Sequence, residues 1–174
     1  MNKFLPLVVI FLCVTTLSCG YTTRSAFIEQ YRTVYVAPFE NSIDFTAESR
    51  RSFYFPLIEV KTRNQVMDRF LFDGNLRVAT AETADLLIKG VLIDYTRGAL
   101  RYTDDDDVQE YRVQVFADVT LEDSREEKVV WKKRVVGESS YFISGSLATT
   151  ESSAVDAAIL DLARRIVENV IEYW

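Results

Sequence analysis

Histidine is absent from all 174 residues. That gap removes Ser-His-Asp and Cys-His nucleophile pairs, histidine general bases and nearly every zinc site. Catalysis by carboxylates alone would need an acidic pair converging in a cleft, and no spacing singles one out. The chain therefore reads as a protein that is not an enzyme and takes no cofactor. Cysteine is almost as scarce. Cys13 and Cys19 are the two present, both near the amino end, so the remainder must hold together by packing rather than by disulfides. A surplus of positive charge is missing as well. The formal charge is −6, which disfavours a nucleic-acid partner. No internal repeat or low-complexity tract is found. Nor does any apolar run reach the roughly 20 residues that a bilayer span requires, since the longest, Phe4 to Leu17, is short and interrupted by Pro6.

What that run does have is the layout of an export signal. Lys3 supplies a positive start, Phe4 to Leu17 an oily middle, and Thr16-Leu17-Ser18-Cys19-Gly20 a small residue before a sulfur. A signal cut just before cysteine marks a bacterial lipoprotein, in which the Cys19 sulfur takes a diacylglycerol and the freed amine a further acyl chain. At about 0.8 kcal/mol per buried methylene, several chains make a durable anchor. Gly20 stands where an inner-membrane retention signal would place Asp, which points to the outer membrane, lipid-anchored and facing the periplasm. Thr16 departs from the aliphatic residue usual at its position, and plain secretion with Cys19 a spectator is the alternative. The expected organisation is a signal peptide over 1–18, a lipidated tether over 19–31 and one domain over 32–174.

Within that domain, Thr33 to Phe39 is rich in β-branched and aromatic residues and predicts a first strand ending at Pro38. Glu40 to Phe55 carries no alternation and reads as a long loop. Pro56 suits the start of a helix that Asp73-Gly74 ends, with Leu57, Val60, Met67, Phe70 and Leu71 near one face. Leu76 to Ala79 offers a short extra strand. Asp85 to Tyr95 is apolar on both alternating faces, which predicts an interior strand, with Gly90 marking a bulge or a close approach. A turn is expected from Arg97 to Asp107. Tyr111, Val113, Val115, Ala117, Val119 and Leu121 then alternate without exception against Glu110, Arg112, Gln114, Phe116, Asp118, Thr120 and Glu122, so one face is buried and the other mostly wet. Lys128 to Ile143 repeats the pattern, with Val129, Trp131, Val135, Tyr141 and Ile143 inward and Lys133 breaking it. A last helix, capped by Thr149 or Thr150, carries a broad apolar stripe from Val155 to Ile171. The fold class predicted is α+β, two helices on one face of a mainly antiparallel four-stranded sheet in the order β-α-β-β-β-α.

These residues resemble the LptE family, lipoproteins of the outer-membrane lipopolysaccharide-assembly machine. The resemblance is carried by Cys19-Gly20-Tyr21, by Val34 to Asn41, and by Asp73-Gly74-Asn75-Leu76-Arg77-Val78. It continues through Ala84-Asp85-Leu86-Leu87-Ile88-Lys89-Gly90, Glu110-Tyr111-Arg112-Val113 and Trp131, and spans nearly the whole mature chain. It implies a non-catalytic protein that plugs and helps assemble the large β-barrel LptD and assists lipopolysaccharide delivery to the outer leaflet. LpoB-like activators of cell-wall synthases and CsgG-like secretion lipoproteins share a similar plan. An activator of that kind needs a long linker, and here about a dozen residues separate Cys19 from the first strand, too few to span the periplasm at about 3.3 to 3.6 Å each.

Lipopolysaccharide offers phosphates beside acyl chains, so the implied contact wants Lys or Arg next to apolar surface. Arg97, Arg101 and Tyr102 at the expected turn, and Arg112, Lys132 and Arg134 on outward strand faces, are the candidates; the alternative is that they only solubilise the surface. Phe45, Phe53, Tyr54 and Phe55 in the long loop are candidates for a partner interface, or else fold back over the core. Asp104-Asp105-Asp106-Asp107 invites a calcium reading, but consecutive acids cannot all face one ion, and a solvated loop is expected.

Overall fold

The computed structural model describes residues 30–44 and 55–172. Cys19, most of the tether, and Phe45, Phe53 and Tyr54 lie outside the described residues. The elements run β1 (Thr33–Val36), β2 (Glu40–Asn41), α1 (Ile58–Asp73), β3 (Arg77–Val78), β4 (Leu86–Tyr102), β5 (Val108–Asp123), β6 (Lys128–Phe142) and α2 (Glu151–Ile171). They build one six-stranded sheet in the order β3-β1-β4-β5-β6, with β2 paired to β4 beyond β1. β1 is parallel to both neighbours and β2 to β4, whereas β4, β5 and β6 form two long antiparallel hairpins. The four-stranded, mainly antiparallel sheet is thus corrected to a mixed sheet of six strands. The missed strand, β2, is two residues long, too short for any alternation to register in the sequence, whereas the short extra strand expected over Leu76 to Ala79 is present as β3.

The α+β layering with two helices is as expected, and the long strands explain it. In β5, Val113, Val115, Ala117, Val119 and Leu121 are fully buried on one face, and the stripe of α2 closes over them and over β6. Thr150 caps that helix, its hydroxyl accepting from the Ser153 N–H. Gly137 of β6 allows the close fit, because a Cβ there would strike the Ala158 carbonyl and the Leu162 backbone. Gly90 serves a similar end on β4, lying under the Phe39 ring. Of its two expected roles, close approach is the one observed.

Helix α1 buries Ile58, Thr62, Val66 and Phe70, while Leu57, Val60 and Leu71 are exposed, so the apolar face expected for it is corrected. The true face contains a threonine, whose hydroxyl donates to the Ile58 carbonyl at 2.8 Å; that polar residue hid the i, i+4 row. Gly74 ends the helix in the left-handed conformation (φ 74°). Two expected inward residues of β6 are also corrected. Leu121 pairs with Trp131 but Glu122 with Val129, so Val130 is an extra residue and Val129 swings out. Ile143 lies past the strand end, half exposed at 49%.

Changing Gly137 to Val should cost about 1–3 kcal/mol or more, the range for forcing bulk into a packed site. Gly98 faces open space, with no atom within 4 Å of where a Cβ would stand, and should accept Ala within about 0.5 kcal/mol; urea melts of both variants check the contrast.

Candidate functional site

Strand β4 runs on to Tyr102, so the turn expected from Arg97 is corrected to a tight loop over 103–107 at the tip of a long hairpin. The Thr103 N–H donates to the Asp107 carbonyl at 2.7 Å and the Asp106 N–H to the Thr103 carbonyl at 3.1 Å. All four aspartates are exposed, and among the described residues no group of three or more acidic side chains is placed to hold a metal ion.

The outer face of the sheet, opposite the helices, carries most of the basic candidates, in two groups. Near the tip, Arg101 pairs across to Glu110, and Glu110 to Phe142. The Arg101 guanidinium lies 3.6 Å from the Glu110 carboxylate and 5.7 Å from the Phe142 ring centre. Glu110, only 6% exposed, also accepts from the Ser140 hydroxyl at 2.6 Å. On the next rung Arg112 stands between Gly98 and Ser140, and its side chain forms no hydrogen bond or ion pair among the described residues. Because Gly98 has no side chain, space is left beside Arg112. Tyr102 and Leu100 are exposed at 57% and 42%. Basic, aromatic and aliphatic surface therefore meet at this end.

Lys132 and Arg134 share the outer face but pair with Thr120 and Asp118. At about 3.4 Å per residue, Lys132 is roughly 27 Å along the sheet from Arg112. Arg134 makes a fork to Asp118 at 2.9 and 3.2 Å, which holds the Asp118 carboxyl below its usual range.

Arg97 is on the helix side and is committed there. It reaches Glu151 at 2.9 Å and lies 4.8 Å over the Tyr111 ring. Glu151, in the first turn of α2, also accepts from Tyr95 Oη at 2.6 Å and Tyr141 Oη at 3.3 Å. Burial, then the Glu151 contact, raises the Tyr95 pKa well above its ordinary value. This knot ties the helix start to the hairpin. Phe55 packs edge-on to Tyr95, ring centres 5.5 Å apart.

Sequence reasoning missed a clasp at the opposite pole, where the chain enters β1. Tyr31 Oη donates to Asp123 Oδ2 at 2.7 Å, and Asp85 accepts from the N–H groups of Arg32 and Thr33 at 2.7 and 3.0 Å. Burial and the Asp123 carboxylate push the Tyr31 hydroxyl up to about 12. Burial works to raise the Asp123 pKa, but the hydrogen bonds from Tyr31 and from the N–H groups of Arg125 and Glu126 outweigh it and lower the value. The partners are 92 residues apart in sequence, and no local pattern signals such a pair.

A family model described as LptE, lipopolysaccharide-assembly, matches residues 31–173. No curated protein sequence matches the chain. Among solved structures, a hypothetical protein of Chlamydia trachomatis superposes with a TM-score of 0.57 at 14% identity, covering 82% of this chain and 97% of that one. A protein of Xanthomonas campestris gives 0.52 at 13%, covering 80% and 84%. A minor lipoprotein of Acinetobacter baumannii gives 0.50 at 14%, covering 82% and 94%. At such identities these neighbours speak for the fold alone.

Replacing Tyr31 by Phe tests the clasp. A carboxyl with a depressed folded pKa stabilises the fold above its unfolded value near 3.9, and that contribution is lost as pH falls through the folded value. The variant should therefore lose about 1 kcal/mol or more at pH 7 and show a shallower fall in stability below about pH 4, read from denaturant melts at a series of pH values.

Proposed function

From the premise that this chain belongs to the LptE lipopolysaccharide-assembly family, we propose that it is a non-catalytic outer-membrane lipoprotein that seats in an LptD-type β-barrel and assists delivery of lipopolysaccharide. The observation that carries this reading is the uncovered sheet face. Both helices lie on one side, so β4, β5 and β6 present a broad outer surface with half-buried Leu87, Val91, Phe116 and Val136 among charges. A face of that mixed kind suits a large, partly polar interface such as a barrel wall.

The tether fits the same reading. Cys19 holds the lipid anchor, and the clasp on Tyr31 leaves about a dozen residues of slack, a reach of roughly 40 Å at most. The body is then kept beside the membrane. The Phe45, Phe53 and Tyr54 loop is assigned to the barrel interface. At the hairpin tip, Arg101, Arg112 and Tyr102 receive phosphate and acyl surface together; Arg97, Lys132 and Arg134 act at longer range through charge.

Reversing both arginines, Arg101→Glu with Arg112→Glu, should weaken binding of purified lipopolysaccharide about tenfold or more, since two charge-assisted contacts are lost, and leave the thermal midpoint nearly unchanged. Unaltered affinity with an intact fold would remove the tip from the lipid path. Capture of the wild-type chain from solubilised outer membranes should bring down a large barrel in equal amount, and recovery of a cell-wall synthase instead would overturn the plug.

A further inference from the structure

The last turn of α1 carries two exposed apolar side chains, Leu71 at 66% and Phe72 at 81%, off the buried row of Ile58, Thr62, Val66 and Phe70. The Arg69 guanidinium lies 5.3 Å from the Phe72 ring centre, and its side chain forms no hydrogen bond or ion pair among the described residues. These residues sit at the pole where the chain enters the body. Gly74 stops the helix, and Arg77 just beyond it pairs with Thr33 of β1 and donates its N–H to the Arg32 carbonyl at 3.0 Å. Arg32 and Thr33 are the residues that Asp85 holds, beside Tyr31 in the clasp. Helix α1 thus delivers Phe72 to the clasp. The hairpin tip is the length of β4 away, 17 residues or about 55 Å.

We propose that this pole rests on a membrane surface, with Leu71 and Phe72 entering the boundary between headgroups and acyl chains and Arg69 staying at the level of the phosphates. The length of chain beyond the body argues for that occupant. Between Cys19 and Tyr31 lie about a dozen residues, roughly 40 Å at most, so with lipid on Cys19 fixing one end in a membrane, the clasp pole is the one held toward it. Such a leash raises the local concentration of the surface, and two apolar side chains then suffice where they would not hold a free protein. An aromatic ring beside an arginine suits that boundary, because the ring is buried in the oily layer while the long basic side chain reaches back to phosphate. Arg32 and Arg77 are exposed nearby, and their side chains too form no hydrogen bond or ion pair among the described residues. Glu82, Glu126 and Glu127 are exposed at the same pole, so charges of both signs meet there, which fits a zwitterionic headgroup layer. The inference rests on the lipid-anchor reading of Cys19 and not on lipopolysaccharide binding at the hairpin tip.

The test uses the mature full chain with its lipid, reconstituted in phosphatidylcholine vesicles with no other protein. Since Cys13 leaves with the signal and Cys19 is acylated, Phe72→Cys introduces a single reactive thiol for a nitroxide label. Ala157→Cys is the control, exposed on α2 next to Asp156, which pairs with Lys61, and so about 16 Å nearer the tip. Collision rates with oxygen and with a water-soluble nickel complex should place the label at position 72 about 5–10 Å below the headgroups and the label at position 157 in water. Adding Leu71→Gln should move the first label outward while the chain stays on the vesicles and its thermal midpoint holds. A chain that fails to float with the vesicles would overturn the anchor reading and this inference with it. A chain that floats with the label at position 72 in water, equal immersion of both labels, or spin–spin broadening at position 72 that marks a second copy there would overturn the docking alone.

Discussion

The structure depends on how closely α2 can lie against the β5–β6 hairpin. A helix with so wide an apolar stripe must bury it, and with no disulfide available that burial carries the stability of the body. Gly137 decides the spacing, since anything larger meets the helix backbone. Once α2 is down, α1 packs beside it over the β1 side, and the whole apolar face of the sheet is consumed. The opposite face is left to solvent or to a partner.

Two ties then fix the ends of this arrangement. The Tyr31–Asp123 and Asp85 contacts pin the entering chain to the start of the long strands, and Glu151 gathers Tyr95, Arg97 and Tyr141 where the helix begins. Between them run the long strands, with the Tyr31 clasp at one pole and the basic, aromatic hairpin tip at the other. A body of this shape would join the proposed anchor to a distant contact point by geometry alone.

Much of this was legible from residue order. The unbroken alternation of β5 gave its buried face residue by residue, because burial on one side and water on the other leaves a period of two. Thr150, Gly74 and the α2 stripe were legible for the same local reasons. What escaped was non-local or too short. Strand β2 has no period to read, the Val130 bulge reverses Val129 with no signal of its own, and Thr62 interrupts the face of α1. At the site, the sequence grouped Arg97 with Arg101, which a regular strand would keep on one face, but a register shift between Ala99 and Arg101 sends them to opposite faces. Arg97 turned to the helix side and its partner Glu151, which lies 54 residues away. Lys132 and Arg134 joined the same face as Arg112 but not the same place.

The central claim is that the sheet's open face is a contact surface completed by a barrel. Hydroxyl-radical footprinting of Phe116, Val136 and Leu87, in the purified chain and in its outer-membrane complex, tests it most directly. The account predicts that all three are labelled in the free chain and shielded in the complex. Equal labelling in both states would contradict it.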